Sequence, residues 1–289
     1  MFDPTSPSVI RDLLQRHKFR IKKKFGQNFL IDGNIINKIL YAADLNNMDK
    51  VVEIGPGMGA LTYRLSKVAK QVFAVEIDRA VLPLLSETLD GLENVALIEA
   101  DALKINFDQL VQERTGNIAG GYKVVANLPY YITTPLIMHL LERHSNVRKI
   151  IVMVQEEVAR RLTASPGTKD YGALTVAANY YAEVEMAFKV PRTVFLPRPE
   201  VDSAVVSMTV REVPAINVKN QHIYFALVKA TFQQRRKTLL NALSSMDKDL
   251  PKDRWLDIFK QADIDPVRRG ETLNIQEFAR LADAYTINR

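Results

Sequence analysis

Short apolar runs alternate with segments of helical spacing between about residue 50 and residue 155. The predicted strands are 51–54, 72–77, 95–99, 124–127 and 150–155, and the clearest helices between them are 60–69 and 79–89. Alternation of this kind predicts an α/β fold with a doubly wound, mostly parallel sheet and helices on both faces. In such folds ligands bind beyond the carboxyl ends of the strands.

The pattern changes after residue 155. Two strand-like runs, 185–190 and 204–211, are joined by the proline-rich loop 191–199 without a helix between them. This arrangement predicts an antiparallel hairpin at the edge of the sheet.

Strand patterning ends near residue 212. Helical spacing then prevails in the segments 224–243, 252–262 and 275–284. The sequence therefore predicts a basic N-terminal segment with helices leading into the fold (1–49), a cofactor-binding α/β domain (50–211) and a small all-helical C-terminal domain (212–289).

The composition excludes several classes of protein. With 47% hydrophobic residues and 25% charged residues among 289, the chain resembles an ordinary globular protein, and it has no apolar run long enough to span a membrane. There is no cysteine, and the four histidines lack the spacing of metal ligands. We therefore expect no membrane segment, no metal and a cytoplasmic location.

Positive charge is concentrated in two places. The net charge is +6, which favours a polyanionic partner. One cluster lies near the N-terminus and the other in the helical tail, and neither has acidic residues close by in the sequence. This is typical of nucleic-acid binding, although solvated surfaces are the alternative. The predicted nucleic-acid-binding residues are Arg20, Lys22, Lys23 and Lys24 near the N-terminus and Arg235, Arg236 and Lys237 in the helical tail.

A glycine-rich turn follows the first predicted strand. Gly55, Gly57 and Ala60 fit the dinucleotide fingerprint, and Glu76 ends the second strand where an acid would hold a ribose. These features alone allow either a nicotinamide dehydrogenase or a protein that binds S-adenosylmethionine.

Two further strand ends favour S-adenosylmethionine. Asp101 follows the third strand, where its carboxylate could accept from an adenine amino group. Asn127 ends the fourth strand, beside the expected position of a methyl donor. No histidine or lysine at the ends of strands four and five offers the proton donor that a dehydrogenase would need.

The sequence Asn127-Leu128-Pro129-Tyr130 suits a reaction at the amino group of a nucleobase. The adenine amino nitrogen is a weak nucleophile because its lone pair is delocalised into the ring. Two acceptors, the Asn127 side-chain oxygen and the Leu128 carbonyl, would favour the pyramidal nitrogen that reacts. Pro129 holds the chain extended, and Tyr130 offers a ring on which a flipped base can stack. A strand-to-loop turn without chemistry is the alternative.

These motifs together resemble the bacterial small-subunit (16S) ribosomal RNA adenine N6,N6-dimethyltransferases, which are class I S-adenosylmethionine-dependent methyltransferases with a Rossmann-like sheet. The similarity extends from Lys23 to about Ala284. Its markers are the segments 24–30, 53–57, 75–78, 101–102, 127–130, 132–135, 194–204, 232–237 and 268–271.

The resemblance implies a role for each matching residue. Asn28 and Leu30 would cover the cofactor, Glu76 would hold its ribose, Asp101 its adenine, and Gly55 would line its methionine end beside Gly57. Asn127 would contact both the cofactor and the target amine, and Phe195 would stack on the flipped adenine opposite Tyr130; a loop anchor in the core is the alternative for Phe195. The implied substrate is small-subunit ribosomal RNA in a pre-ribosomal particle. A non-catalytic assembly factor stays open beside the enzyme.

Overall fold

The computed structural model describes residues 4, 6–19, 21, 26–129, 132–143 and 145–288. Its helices are α1 (Pro7–Arg16), α2 (Gly33–Ala43), α3 (Ala60–Ser66), α4 (Leu82–Thr88), α5 (Phe107–Thr115), α6 (Thr133–Arg143), α7 (Glu156–Leu162), α8 (Ala173–Tyr181), α9 (Gln221–Gln233), α10 (Leu239–Met246), α11 (Lys252–Ala262) and α12 (Ile275–Asn288). Its strands are β1 (Phe29–Leu30), β2 (Lys50–Ile54), β3 (Gln71–Glu76), β4 (Val95–Glu99), β5 (Tyr122–Asn127), β6 (Val147–Gln155), β7 (Ala182–Val190), β8 (Phe195–Leu196) and β9 (Ser203–Val210).

A seven-stranded sheet in the described residues has the order β4-β3-β2-β5-β6-β9-β7. The first five strands in this order, from β4 across to β6, are parallel, whereas β9 pairs antiparallel with β6. This confirms the predicted fold: a mostly parallel, doubly wound sheet with an antiparallel edge. The strand order reverses beside β2, because β3 and β5 both pair with it.

Two compact units divide the chain. The first contains Met1–Ala159 and Val184–Val210, and the second contains Arg160–Glu183 and Arg211–Arg289. The second unit is helical and has its own core, in which Tyr180 of α8 packs with Tyr224, Trp255 and Phe278. Residues 160–183 therefore cluster with the helical tail, whereas the sequence places them in the cofactor domain. Their assignment depends on long-range contacts of α8 that helical spacing alone does not reveal.

The segment predicted as one helix over 224–243 consists of two helices. α9 ends at Gln233, and α10 begins after Thr238, whose hydroxyl caps it by accepting the N–H of Asn241. The first N–H of α10, that of Leu239, donates to the carbonyl of Arg268 and not to the end of α9. A side-chain cap and a long-range backbone bond thus separate two helices in a segment whose spacing predicts one.

Two helices, α2 and α3, bury apolar side chains against one face of the sheet in the first unit. Ile36 and Ile39 of α2 and Leu65 of α3 pack with Val51 and Val125 of the central strands. Asp32 begins α2 by accepting the N–H groups of residues 34 and 35. This packing fixes the carboxyl ends of β2 and β5 relative to the segment that precedes α2.

Candidate cofactor and acceptor site

A cavity of about 280 Å³ opens at the carboxyl ends of the parallel strands. The loops after β2, β3, β4 and β5 form its wall, together with residues 26–30, which we term the cover segment. The cavity lies where the strand order reverses, the usual ligand position in open α/β sheets. All the predicted cofactor residues line it: Asn28, Leu30, Gly55, Gly57, Glu76, Asp101 and Asn127.

The turn after β2 needs glycine at two positions. Gly55 and Gly57 have φ values of +69° and +57°, which residues with a side chain rarely adopt. The N–H of Gly55 donates to the Val75 carbonyl at 2.9 Å. A Cβ atom on Gly57 would lie 3.0 Å from the Phe29 ring. The bare backbone therefore forms a cradle into which side chains do not project.

Two carboxylates are held rigidly in the loops after β3 and β4. Oε1 of Glu76 accepts the backbone N–H groups of residues 77 and 78 at 2.9 and 2.8 Å, and burial raises the pKa of this carboxyl. Oδ1 of Asp101 accepts the N–H of Leu103 at 3.0 Å, and Lys104 Nζ lies 3.6 Å from its Oδ2. Fixed acceptors at these positions fit ribose hydroxyls and an adenine amino group.

The cover segment is attached to the cavity by several bonds. Gln27 Nε2 donates to Asp78 Oδ2 at 2.9 Å, and β1 pairs antiparallel with β8 of the proline-rich loop. The N–H of Ile31 continues this pairing by donating to the Val194 carbonyl at 2.9 Å. The proline-rich loop and the cavity wall are therefore one connected structure.

Two hydrogen-bond acceptors lie at the end of β5. Asn127 Nδ2 donates to the Asn28 carbonyl at 3.1 Å, so its Oδ1 is directed away from that bond. The N–H of Leu128 donates to Met153, while the Pro129 carbonyl accepts the N–H of Ile132. Within the described residues, neither Asn127 Oδ1 nor the Leu128 carbonyl receives a hydrogen bond. As far as the described residues show, both acceptors can therefore bind a ligand.

Tyr130 and Phe195 are the two aromatic residues predicted to stack on the base, and the structure describes one of them. Tyr130 lies outside the described residues. Phe195 is 4% exposed, packs in the core with Leu30, and does not line the cavity. This placement fits the loop anchor that the sequence also allowed; stacking would require the ring to leave the core.

The basic residues of the helical tail have different environments. Arg235 Nη2 donates to the carbonyls of Lys169 and Tyr171 at 2.9 and 3.3 Å and lies 3.3 Å from Glu271 Oε2. Arg236 and Lys237 are exposed. Arg235 thus holds the fold of the second unit, and its two neighbours face solvent. The other predicted RNA-binding residues, Arg20, Lys22, Lys23 and Lys24, lie outside the described residues.

Two other kinds of feature are absent from the described residues. No group of three or more histidine, aspartate or glutamate side chains in them is arranged to bind a metal ion. None of their helices is long and apolar enough to cross a membrane.

Comparison with known proteins identifies the family. The model of the ribosomal RNA adenine dimethylase family matches residues 18–284. This chain belongs to that family. "Ribosomal RNA small subunit methyltransferase A" of Pelotomaculum thermopropionicum is 52% identical over 97% of this chain and 96% of the relative, and the protein of the same name from Clostridioides difficile is 47% identical over 96% of both.

Two solved structures of methyl-transferring enzymes share the fold of this chain. A dimethyladenosine transferase from Plasmodium falciparum superposes with a TM-score of 0.76 at 27% identity, covering 90% of this chain and 98% of that one. The 23S rRNA methyltransferase ErmE gives a TM-score of 0.67 at 28% identity, covering 89% and 99%.

Family membership decides between the two cofactors that the glycine turn allowed. The ribosomal RNA adenine dimethylases use S-adenosylmethionine, so the dehydrogenase alternative is wrong. The cradle of Gly55 and Gly57 and the fixed carboxylates fit this cofactor. Sequence analysis missed one cavity residue with unusual chemistry, Glu53. The signal that could have identified Glu53 is its position as the single acidic residue within the apolar run 51–54.

Proposed function

We propose that this protein transfers methyl groups from S-adenosylmethionine to the N6 atoms of adenines in small-subunit ribosomal RNA, producing N6,N6-dimethyladenosine. The observation that carries the proposal is the pair of available acceptors, Asn127 Oδ1 and the Leu128 carbonyl, at the edge of a cofactor cavity. The names of its relatives favour the small subunit as the source of the RNA. Two adjacent adenines in the 3′-end hairpin loop are the targets we expect.

We also propose how the cofactor lies against the wall of the cavity. We assign its ribose to Glu76, its adenine to Asp101 and its methionine end to the turn at Gly55 and Gly57, with Asn28 and Leu30 above it. The bound cofactor supplies an electrophilic methyl group on a sulfonium with a neutral leaving group. The protein's own task is therefore to hold and align the two reactants.

The acceptors give the adenine amine its reactivity. Asn127 Oδ1 and the Leu128 carbonyl each take one N–H bond of the amine, which favours the pyramidal nitrogen over the planar one. The bond from Asn127 Nδ2 to Asn28 fixes which atom of the amide meets the amine. The methylated nitrogen becomes acidic and loses its proton to water, so a strong base is not required.

The test of this function uses S-adenosylmethionine with a labelled methyl group and unmethylated small ribosomal subunits. The RNA is digested to nucleosides, which are then separated. Label in N6,N6-dimethyladenosine is the expected result. Cofactor binding without label on any assembly stage of the subunit would contradict the proposed activity and favour a structural assembly factor. If the protein labelled large-subunit RNA and did not label small-subunit RNA, the choice of substrate would be wrong.

Phosphate contacts by the tail can be tested without disturbing its fold. Changing Arg236 and Lys237 together to alanine should reduce the slope of log affinity against log salt by about 1.5, because two ionic contacts are lost. Cofactor affinity should not change. Arg235 is kept, since its bonds to Lys169 and Tyr171 are structural.

The matched control removes the same charge from exposed positions on α11, with Lys252 and Lys260 both changed to alanine. Filter binding of small-subunit RNA at several salt concentrations measures both variants. Equal slopes for the two would remove residues 236 and 237 from the RNA-binding surface.

We place the enzyme in the cytoplasm, where its substrate, a pre-ribosomal particle, is assembled.

A further inference from the structure

A buried carboxyl group faces the cofactor cavity without a hydrogen-bond partner for one of its oxygens. Glu53, near the end of β2, is 1% exposed, and within the described residues its Oε2 accepts no hydrogen bond. It lines the cavity together with Gly55 and Glu76. An unpaired buried carboxylate is costly, so this position suits a group that changes its protonation when a ligand arrives.

The surroundings of Glu53 favour its neutral form. Burial, followed by the negative charge of Glu76, raises the pKa of Glu53 to about 8. The Thr62 hydroxyl on α3 opposes this shift, but Thr62 Oγ1 makes no well-formed hydrogen bond. At neutral pH the carboxyl of the cofactor-free protein is therefore protonated.

Positive groups on the adjoining elements do not offset this effect. Lys38 of α2 lies over the Phe188 ring, with Nζ 5.9 Å from its centre, and Lys123 of β5 pairs with Asp49 at 3.0 Å. Glu76 is the charged group that influences Glu53 within the described part of the chain.

We propose that Glu53 releases its proton to solvent when S-adenosylmethionine binds, so that cofactor binding and Glu53 ionisation are linked. The cofactor carries an ammonium, a sulfonium and a carboxylate, so its net charge is positive, and a net cation in the cavity favours the ionised carboxyl of Glu53. The inference rests on cofactor binding in this cavity and adds a protonation step to it. The O–H bond of the Glu53 carboxyl breaks and water takes up the proton; no bond within the cofactor changes.

The link has a consequence for the catalytic cycle. Methyl transfer converts the sulfonium into a neutral thioether, which removes one positive charge from the cavity. Glu53 then regains its proton more readily, so its ionisation favours binding of the product less than binding of the substrate. Release of S-adenosylhomocysteine is thereby favoured after each transfer.

Calorimetry measures the proton directly. Cofactor is titrated into the wild type and Glu53→Gln in buffers of different ionisation enthalpy, and the slope of the observed enthalpy gives the protons released. The cofactor's own amino group contributes equally to both proteins, so the difference reports Glu53. At pH 7 we expect wild type to release roughly one proton more than the variant, with the difference vanishing near pH 9.5. S-adenosylhomocysteine should give a smaller difference.

The matched control is Glu113→Gln, an exposed glutamate on α5, which should behave as wild type. Equal proton release by wild type and Glu53→Gln at pH 7 would overturn the linkage while leaving the cofactor site intact. Absence of binding to the wild type would overturn the cofactor assignment and the linkage together.

A second measurement needs no variant of Glu53. Infrared difference spectra of wild type with ¹³C-labelled glutamate, recorded with and without cofactor at pH 7, follow the protonated carboxyl band. Loss of that band on binding is expected. A band whose intensity is the same in the saturated complex as in the free protein would rule out proton release even if Glu53→Gln fails to fold.

Discussion

Replacing Asn127 by alanine should lower the turnover of methyl transfer by about 10²–10³-fold, the usual loss when one preorganised group that stabilises the transition state is removed. Affinity for S-adenosylmethionine should fall much less, because the cradle at Gly55 and Gly57 and the carboxylates of Glu76 and Asp101 stay in place. Single-turnover rates with saturating cofactor and RNA measure the first quantity, and calorimetry measures the second.

A second variant tests how the amide is oriented. Asn127→Asp keeps an oxygen acceptor but loses the N–H that donates to the Asn28 carbonyl. We expect slow turnover here too, since the carboxylate and that carbonyl repel each other. Asn47→Ala, at an exposed position, is the control for the substitution itself. If Asn127→Ala weakened cofactor binding and left turnover intact, Asn127 would be a cofactor ligand and not an acceptor for the amine.

Much of the fold follows from the periodicity of the sequence. The five parallel strands and the hairpin strands were predicted within a few residues, because buried strands of a parallel sheet give short, nearly continuous apolar runs. The break at residues 234–238 was not predicted. It depends on the bond from the Leu239 N–H to the Arg268 carbonyl, about thirty residues away.

The cavity residues could be predicted because they occupy strand ends. Topology brings the carboxyl ends of parallel strands together whatever the loops do, so Glu76, Asp101 and Asn127 had to converge. Roles that depend on whether a side chain is buried were harder to predict from the sequence. Phe195 and Arg235 look like ligand-binding residues in the sequence, yet one packs in the core and the other bonds backbone carbonyls of its own unit.

The acid within β2 could be seen in the sequence, but its protonation could not. An acid between Val52 and Ile54 can be an exposed edge residue, a structural ion pair or a buried neutral group. Only the packing of α3 over this strand and the nearness of Glu76 select the third. The same surroundings make Glu53 a determinant of stability as well as of binding.

The stability of the cofactor-free protein should therefore depend on pH through Glu53. The pKa of its carboxyl rises from the ordinary 4.5 to about 8 on folding. Between these values the unfolded chain loses the proton while the folded protein keeps it. The stability contributed by the neutral Glu53 carboxyl is therefore fully present below pH 4.5 and is lost as the pH rises to 8. At about 1.36 kcal/mol per pKa unit, the loss is roughly 3–5 kcal/mol.

Glu53→Gln keeps the shape of a neutral carboxyl and removes the titration. Relative to wild type, the variant should gain roughly 3–5 kcal/mol of unfolding free energy between pH 4.5 and pH 8, and nothing further above pH 8. Urea denaturation without cofactor at several pH values measures this difference. The raised pKa of Glu76 gives both proteins a further pH dependence, which the comparison largely cancels.

Glu113→Gln should show no such gain, because that carboxyl is exposed in the folded and the unfolded chain alike. A Glu53→Gln advantage that stayed constant across this range would mean that the folded protein holds Glu53 ionised. The carboxylate would then have an ordinary pKa despite its burial, and cofactor binding would have no proton to displace.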